Sequence, residues 1–524
     1  MRKARWLYLL VVLMFSGTGM MLLRQVSAAS ETAVVSGTVF DANGPVSGAA
    51  VRIRATDNAT TTDSNGAFTL TAPSAGEEVE VAAWFGGYYI TSTHVTPPAS
   101  GIVLRLRPYH QKDNPSYEWA SPTDGAGACV DCHPMIVAQW ENNAHGGAVS
   151  NARFFSLYNG TNLSGTLQIG PGYVNDFPGT AGLCASCHAP GLGVDGYLRT
   201  DMNLTRDVIT AGVHCDYCHK LGGVYLNPAT GSVYPNAPGV ESTRILRPPA
   251  GEDIFFGPYD DIKDPDTFLP AFSESQFCAP CHQFSFWGTP IYESYEEWLS
   301  SPYAEAGTTC QRCHMPPNGD SYFALPEMGG LPHPPETIPS HLELGATSLE
   351  LLQGAVQLAV TAQEAGTQVT VTVVITNTGA GHDIPTDFPG RQMLMLVTVT
   401  DEVGHRLPQI AGPTIPAWGG VQAGWPGKVF AKILRDVKTG EMPVVSYWKQ
   451  TLIEADNRIP AMSTDQSTYT FSLPPSGGDI DVKVQIFFRR VFADLAAQKA
   501  WDIVDLLMNE VNLGLRFQSF SSDR

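Results

Sequence analysis

Ten cysteines fall into five copies of one pattern, Cys-x-x-Cys-His: Cys129, Cys132 and His133; Cys184, Cys187 and His188; Cys215, Cys218 and His219; Cys278, Cys281 and His282; Cys310, Cys313 and His314. No cysteine lies outside them. Two thiols three positions apart suit thioether attachment to the two vinyl groups of a porphyrin, and the adjacent imidazole is then directed at the iron. A zinc reading must treat the five histidines as accidents. A disulfide scaffold must pair ten cysteines without regard to the histidine that always follows the second member. The pattern therefore predicts five covalently bound haem c groups, each with a proximal histidine.

The opposite face of each iron decides what such a haem does. A second histidine saturates the metal and restricts it to passing electrons, whereas an open position admits small molecules. Eight histidines lie outside the motifs. His145 follows His133 by twelve residues, and a continuous helix would separate the two by about 18 Å, so His145 is expected to reach a different haem. His214 directly precedes Cys215 and cannot swing round to the distal face of its own haem, so it too is expected to ligate a neighbour. His341 follows the last motif closely enough to fold back over the cluster. His382 sits in Asn377-Thr-Gly-Ala-Gly-His-Asp-Ile-Pro-Thr386, a Gly-rich hairpin from which an imidazole can project toward a haem. His333 and His110 compete for the fifth place; a ligand from another molecule, or none, satisfies the sequence equally. His94 and His405 read as surface residues. Arg391 suits either a haem propionate or an ordinary salt bridge. Trp140, Trp287 and Tyr292 suit porphyrin faces, but plain core packing explains them as well.

The elements that must position these residues make a mixed multidomain fold. Residues 33–107 alternate like short strands separated by turn sequences such as Asp63-Ser-Asn-Gly66, which predicts an amino-terminal β-sandwich. Residues 108–127 have the Pro, Ser, Asp and Gly content of a linker. Residues 128–345 form the expected pentahaem core, rich in loops and short helices because porphyrins replace much of the apolar core. Helices are expected from His133 to His145, from Ser294 to Ser300 and around each motif. Residues 346–524 return to strand alternation and predict a second β-sandwich. Phe492, Leu495, Ala496, Ile503, Leu506, Leu507 and Val511 recur near helical period, so a closing amphipathic α-helix is expected before Gly514.

Residues 1–28 carry basic residues, an apolar run and a small-residue Val26-Ser27-Ala28 site, the layout of a cleaved export signal. The run is long, which leaves membrane association through an uncleaved anchor as the alternative. Both place the bulk of the chain outside the cytoplasmic membrane, whether periplasmic, at the cell surface or extracellular. The formal charge of −20 argues against nucleic acid as a partner and favours a basic redox protein.

Three resemblances follow from these residues. Gly37-Thr-Val-Phe-Asp41, Gly44-Pro-Val-Ser-Gly-Ala-Ala-Val51 and Thr62-Asp-Ser-Asn-Gly-Ala-Phe68 resemble the carboxypeptidase regulatory-like domain, which implies display or docking and no catalysis. Cys129-x-x-Cys-His with Trp140 and His145, then Val213-His-Cys-Asp-Tyr-Cys-His219, then Tyr295-Glu-Glu-Trp-Leu-Ser-Ser-Pro302 before Cys310-Gln-Arg-Cys-His-Met-Pro316, resemble the multihaem cytochromes related to the tetrahaem electron acceptor of hydroxylamine oxidoreductase. Asn377 to Arg391, with Asp456-Asn-Arg-Ile459, resembles the carboxy-terminal sandwich of exported multihaem cytochromes, whose Gly-His-x-x-Pro-Thr histidine caps a haem. These resemblances imply stacked haems with mainly bis-histidine ligation. No motif has the lysine that replaces the proximal histidine at the active haem of pentahaem nitrite reductase, and five motifs are too few for hydroxylamine oxidoreductase. The expected function is electron transfer by haem-to-haem hopping between redox partner proteins. The alternatives are an oxidoreductase acting on a small nitrogen or sulfur compound at an open haem, and self-assembly into an extracellular cytochrome filament.

Overall fold

In the computed structural model, residues 33–196, 199–263 and 265–517 are described. Residues 1–28, the expected export signal, lie outside them.

The first strand, Ala33–Phe40, pairs antiparallel with Ala67–Ala72 and parallel with Ala99–Arg105. A second sheet runs in the order Ala59–Thr61, Ala50–Ile53, Val79–Trp84, Thr91–Val95. Strict period-two burial along Ala67–Ala72 sends Phe68 and Leu70 inward, where they meet Val35, Val39, Val51, Ile53, Val81 and Leu104. The parallel pair is bulged between Val35 and Gly37, and a Cβ at position 37 would lie 2.2 Å from the Ile102 carbonyl oxygen. Only glycine fits that crossing.

This sandwich is docked onto the middle of the chain. Arg52 makes a bidentate pair with Asp260 at 2.8 and 3.2 Å, the Ala55 amide donates to Asp261 at 2.7 Å, and the Tyr89 hydroxyl donates to the Asp253 carbonyl at 2.8 Å. The segment after it has no regular structure and is nevertheless pinned throughout. Asp113 pairs with the buried Arg247 at 2.6 Å, Trp119 donates to the Gly191 carbonyl at 2.8 Å, and Asp216 accepts from both the Tyr117 hydroxyl (2.9 Å) and the Ala120 amide (2.8 Å). Its composition predicts a flexible connector. Its contacts make it a strap across the third motif.

The middle region is built from one-turn helices and two-stranded pairs. The longest helices here are Pro134–Glu141, with proline in its first turn where the missing N–H costs nothing, and Ala152–Asn159, capped by the Asn151 side chain and ended by left-handed Gly160.

The carboxy-terminal sandwich has one sheet in the order Val356–Ala365, Gln368–Asn377, Thr464–Ser472, Gln409–Ala411. The other runs Gly427–Phe430, Gln392–Asp401, Gly478–Arg489, Leu506–Phe517. Val371, Val373, Ile375, Met393, Met395, Phe430, Tyr469, Val484 and Ile486 fill the space between them. A helix does follow, but it covers only Ala493–Lys499 and stops at left-handed Ala500. Leu506–Phe517, expected to continue it, is an edge strand in antiparallel register with Gly478–Arg489. The pleat decides here: leucines spaced for a helix also fit a strand when a full-length partner offers its ladder.

Candidate haem-binding site

Four motifs are wound into single α-turns: Cys215–His219 and Cys310–His314 hold both thiols, while Ala185–His188 and Ala279–His282 start just after Cys184 and Cys278, their capping residues in helical backbone. The first is a 3-10 turn over Cys129–Asp131. The short helix expected around this motif is thus 3-10 rather than α, with Cys132 at its end. Cys132 follows Asp131 as the capping residue, with its amide donating to the Cys129 carbonyl at 3.2 Å and its own carbonyl accepting from the Leu325 amide at 2.9 Å. The physical reason is Pro134, whose ring disfavours helical backbone at the residue before it; His133 accordingly sits at φ −124°, ψ 48°, and the helix starts afresh at Pro134. The Cys132 backbone is thus tied to the Leu325 segment, and its thiol is half-buried like the other nine.

The imidazoles are oriented from behind. Nδ1 of His133 lies 2.7 Å from the Phe323 carbonyl, that of His219 2.7 Å from the Phe256 carbonyl, and that of His314 2.5 Å from the Leu344 carbonyl. Nδ1 of His282 faces the Asp387 carboxylate at 3.3 Å. A ring whose Nδ1–H is so engaged presents Nε2 as its free nitrogen, the arrangement of a metal-bound histidine. His188 is held differently, stacked on Phe154 at 4.1 Å.

The thiols of different motifs touch in three places: Cys129 with Cys215, Cys187 with Cys281, and Cys278 with Cys310. Tyr217 of the third motif lies within electrostatic reach of Cys187 and Cys281, which links the first and third motifs to the rest. The five motifs thus form one contiguous cluster with the fourth at its hub.

Two histidine pairs face one another in this cluster. The ring centroids of His145 and His282 are 6.4 Å apart, and those of His314 and His382 are 6.3 Å apart with planes 20° from parallel. Two metal–imidazole bonds of about 2.0–2.1 Å, with roughly 1.2 Å from each nitrogen to its ring centre, give a centroid spacing of about 6.4 Å. One iron fits between each pair. His145 directs Nδ1 at Glu343, and Nδ1 of His382 lies 2.9 Å from the Asp383 carbonyl, so the distal rings are also held from behind. Among the described residues no group of three or more His, Cys, Asp or Glu converges on a point. Facing pairs of imidazoles suit an iron whose other ligands come from a porphyrin.

The remaining histidines fall into three situations. His341 lies between the first and third motifs, within reach of His133 and His219, with Nδ1 buried and unpartnered; its amide donates to Gln139 and its carbonyl accepts from Asn143, both at 2.7 Å. His333 is buried between Tyr259 and Phe323 at 5.0 and 5.1 Å, with Nε2 unpartnered. His214 caps its own motif turn: its Nδ1 accepts from the Tyr217 amide at 3.3 Å, and its ring packs edge-on against Trp119 at 5.3 Å. A ring used in that way has Nδ1 facing an N–H, the reverse of the proton placement seen at His133, His219 and His314. His94, His110 and His405 each face a carboxylate, of Glu78, Glu252 and Asp401 respectively.

Burial and neighbouring charge set the proton affinities. Burial lowers His188, His214, His219 and His382 to about 4, as neutral ligands require. His282 and His145 go the other way: burial depresses both, but the hydrogen bond and charge of Asp387 lift His282 to about 9, and the charge and hydrogen bond of Glu343 raise His145.

The carboxy-terminal sandwich closes over the cluster through named contacts. Asn377, wholly buried, donates to the carbonyls of His382 (2.8 Å) and Ile459 (2.9 Å) and accepts from the Ala380 amide (3.0 Å), which fixes the His382 loop. Arg458 pairs with Glu297 on the helix Ser294–Leu299, with Asp456 at 2.7 Å and with Asp383 at 3.3 Å. Glu297 in turn accepts from the Thr386 hydroxyl and the Asp383 amide. Sequence reasoning did not find Glu343, Asp387 or Arg458 as parts of the site. Only their nearness to His341, His382 and the Asp456-Asn-Arg-Ile459 segment hinted at them.

Comparison with known proteins agrees with this geometry. Residues 35–107 match the carboxypeptidase D regulatory-like domain, and residues 128–220, which hold three of the five motifs, match the family of cytochrome c554 and c-prime. This part of the chain is therefore a c-type cytochrome segment, which binds haem covalently and transfers electrons. The chain is similar in fold to the penta-heme cytochrome c552 of Thermochromatium tepidum, at 18% identity and a TM-score of 0.54 over 74% of this chain and 97% of that one. Weaker likenesses to the PapD-like domain 7 of human CEP192 (10% identity, TM-score 0.14, 33% and 89% coverage) and to the amino-terminal domain of a Streptococcus gordonii adhesin (14%, 0.15, 31% and 32%) carry no argument. No curated protein matches the chain.

Proposed function

We propose that the chain is an exported pentahaem cytochrome that passes electrons through five closely placed haems, with residues 33–107 as a docked display module, 128–345 as the haem region and 346–524 as its closing sandwich. The observation that carries this reading is the pair of facing imidazoles, His145 with His282 and His314 with His382, inside a single cluster of five motifs. Saturated irons have no place for a substrate, so outer-sphere electron transfer is what remains to them. His341 serves the first or third haem, His333 lies next to the first, and His214 orients the third motif. A spectroelectrochemical titration of the holoprotein tests this: five haems by mass, predominantly low-spin spectra and several one-electron steps are expected. A protein whose haems are mainly high-spin would sink it.

One observation favours a second reading at one haem. The histidines whose charge bears on His188 are His145 and His282, and these face each other. Beside the second motif stands a buried tyrosine pair, Tyr292 and Tyr447, with hydroxyls 3.0 Å apart. An iron at His188 with an open face could reduce or oxidise a small nitrogen or sulfur compound. One stoichiometric high-spin haem that binds carbon monoxide, together with turnover of nitrite or hydroxylamine, is the expected signature; carbon monoxide silence excludes it.

A further inference from the structure

Three arginines meet at the edge of the second motif, and the one carboxylate whose charge registers with them, Asp387 beside Arg391, is itself held by His282. The register that pairs Gln392 with Arg489 sets the next positions outward, Arg391 and Arg490, opposite each other at the end of the sheet. Arg153 reaches the same place from the helix Ala152–Asn159; it adjoins Phe154, whose ring stacks on His188. Arg153 spends one N–H on the Asp502 carbonyl at 2.9 Å and Arg391 one on the Thr386 carbonyl at 3.1 Å. Arg490 has its Nε buried with no partner. Among the described residues no carboxylate lies at ion-pair distance from any of the three, although the chain carries a formal charge of −20. Their mutual repulsion is real: burial first, then Arg153 and Arg391, weaken the hold of Arg490 on its proton. Arg391 is also within reach of Tyr292, which itself senses Cys187, so the cluster and the second motif share one environment.

Like charges gathered at a half-buried edge with unspent N–H groups are eased by an anion, and guanidiniums grip planar carboxylates and oxyanions through paired hydrogen bonds. We propose that Arg153, Arg391 and Arg490 form an anion clamp at the second motif that holds a carboxylate or small oxyanion. The anion is either a propionate of the haem attached at Cys184 and Cys187 or a free oxyanion that approaches the same haem. The proposal rests on haem attachment at that motif. In the propionate case the clamp raises the potential of that haem, because positive charge nearby disfavours the ferric state. In the free-anion case it concentrates substrate beside the open face.

The experiment compares holoprotein of the parent, Arg490→Gln, Arg490→Lys and Arg391→Gln by spectroelectrochemical titration, with calorimetric titration of nitrite and of sulfite in parallel. Intact mass first reports whether the second motif carries haem; a mass short of that haem removes the proposal together with the reading beneath it. A propionate clamp predicts one midpoint lowered in both glutamine variants, retained in Arg490→Lys, and no heat with either anion. A free-anion site predicts one-to-one binding to the parent, weakened at least tenfold in the glutamine variants. Arg391→Gln keeps the test valid if Arg490→Gln fails to fold. Unchanged midpoints with no anion binding in folded variants overturn the proposal.

Discussion

Asp387 holds His282 from across a domain boundary, with its carboxylate 3.3 Å from the imidazole Nδ1. The donor of orientation belongs to the carboxy-terminal sandwich and the ring to the fourth motif, the hub of the cluster. A carboxylate behind a ligating imidazole makes it a stronger electron donor, which favours ferric iron. Asp387→Asn keeps the shape and removes the charge, so the midpoint of one haem is expected to rise. A tenfold weaker preference for the ferric state corresponds to about 59 mV for one electron. Identical midpoints in parent and variant would show that Asp387 only packs.

Replacement of His382 by alanine is expected to convert one low-spin ferric haem to high spin and to create one carbon monoxide site. His145→Ala should do the same at a different haem, and the double variant should show two. Spectra unchanged after either substitution would mean that the facing spacing has another cause.

Asn377→Ala removes three hydrogen bonds from the wholly buried base of the His382 loop and leaves the His382 carbonyl and the Ala380 amide without their partner, while the Ile459 carbonyl keeps the Ile384 amide. A loss of roughly 1–3 kcal/mol for each buried group left unsatisfied is expected. Thermal unfolding should report that loss, and partial high-spin character at the His382 haem should accompany it.

Arg458→Met leaves Glu297, Asp383 and Asp456 crowded without their cation. Breaking a buried charge network from one side costs about 3–5 kcal/mol, which lowers the thermal midpoint of a domain of this size by at least about 6 °C. A shift within error would mean that solvent reaches the cluster.

Lys499 supplies a pH test away from the haems. It is wholly buried, donates to the carbonyls of Ser156, Thr161 and Pro171 at 3.1, 3.0 and 2.7 Å, and is pushed down by burial to about 8. Between pH 8 and the ordinary lysine range the unfolded chain binds more protons than the folded one, so stability from this residue rises with pH, by up to about 3 kcal/mol. The thermal midpoint of the parent relative to Lys499→Met should therefore climb between pH 7 and 10. A gap independent of pH would show that the three carbonyls fully compensate the burial.

The legible part of this chain was the part whose meaning is local. A Cys-x-x-Cys-His turn needs only five consecutive residues, and the regulatory-like sandwich shows itself through alternating strands and Asn-Gly turns. His382 stood out because its Gly-rich hairpin is also a local signal. Cys132 was legible as a thiol of the first motif, while its place at the end of the turn goes with Pro134 and with a backbone tie to Leu325, almost two hundred positions away. Glu343 and Asp387 had only their nearness to His341 and His382 to mark them, because an acidic residue becomes the rear support of an imidazole only when a distant segment brings the ring to it. Residues 506–517 were misleading for a different reason: leucines at 506 and 507 satisfy helical spacing, and the strand that claims them lies earlier in the chain. His214 shows the limit of proximity arguments, since adjacency to a motif excluded one role without revealing the capping role that the turn gives it.

The strap from Asp113 to Ala120 bears on the order of maturation. It precedes every motif in the chain, yet its anchors are Asp216, between the two thiols of the third motif, and Arg247, further on. A motif must stay accessible while its two thioether bonds are made, so the strap has to wait, unpaired, until the third haem is linked. It then closes as a seal, and a chain that folded ahead of haem delivery would lock that motif out of reach.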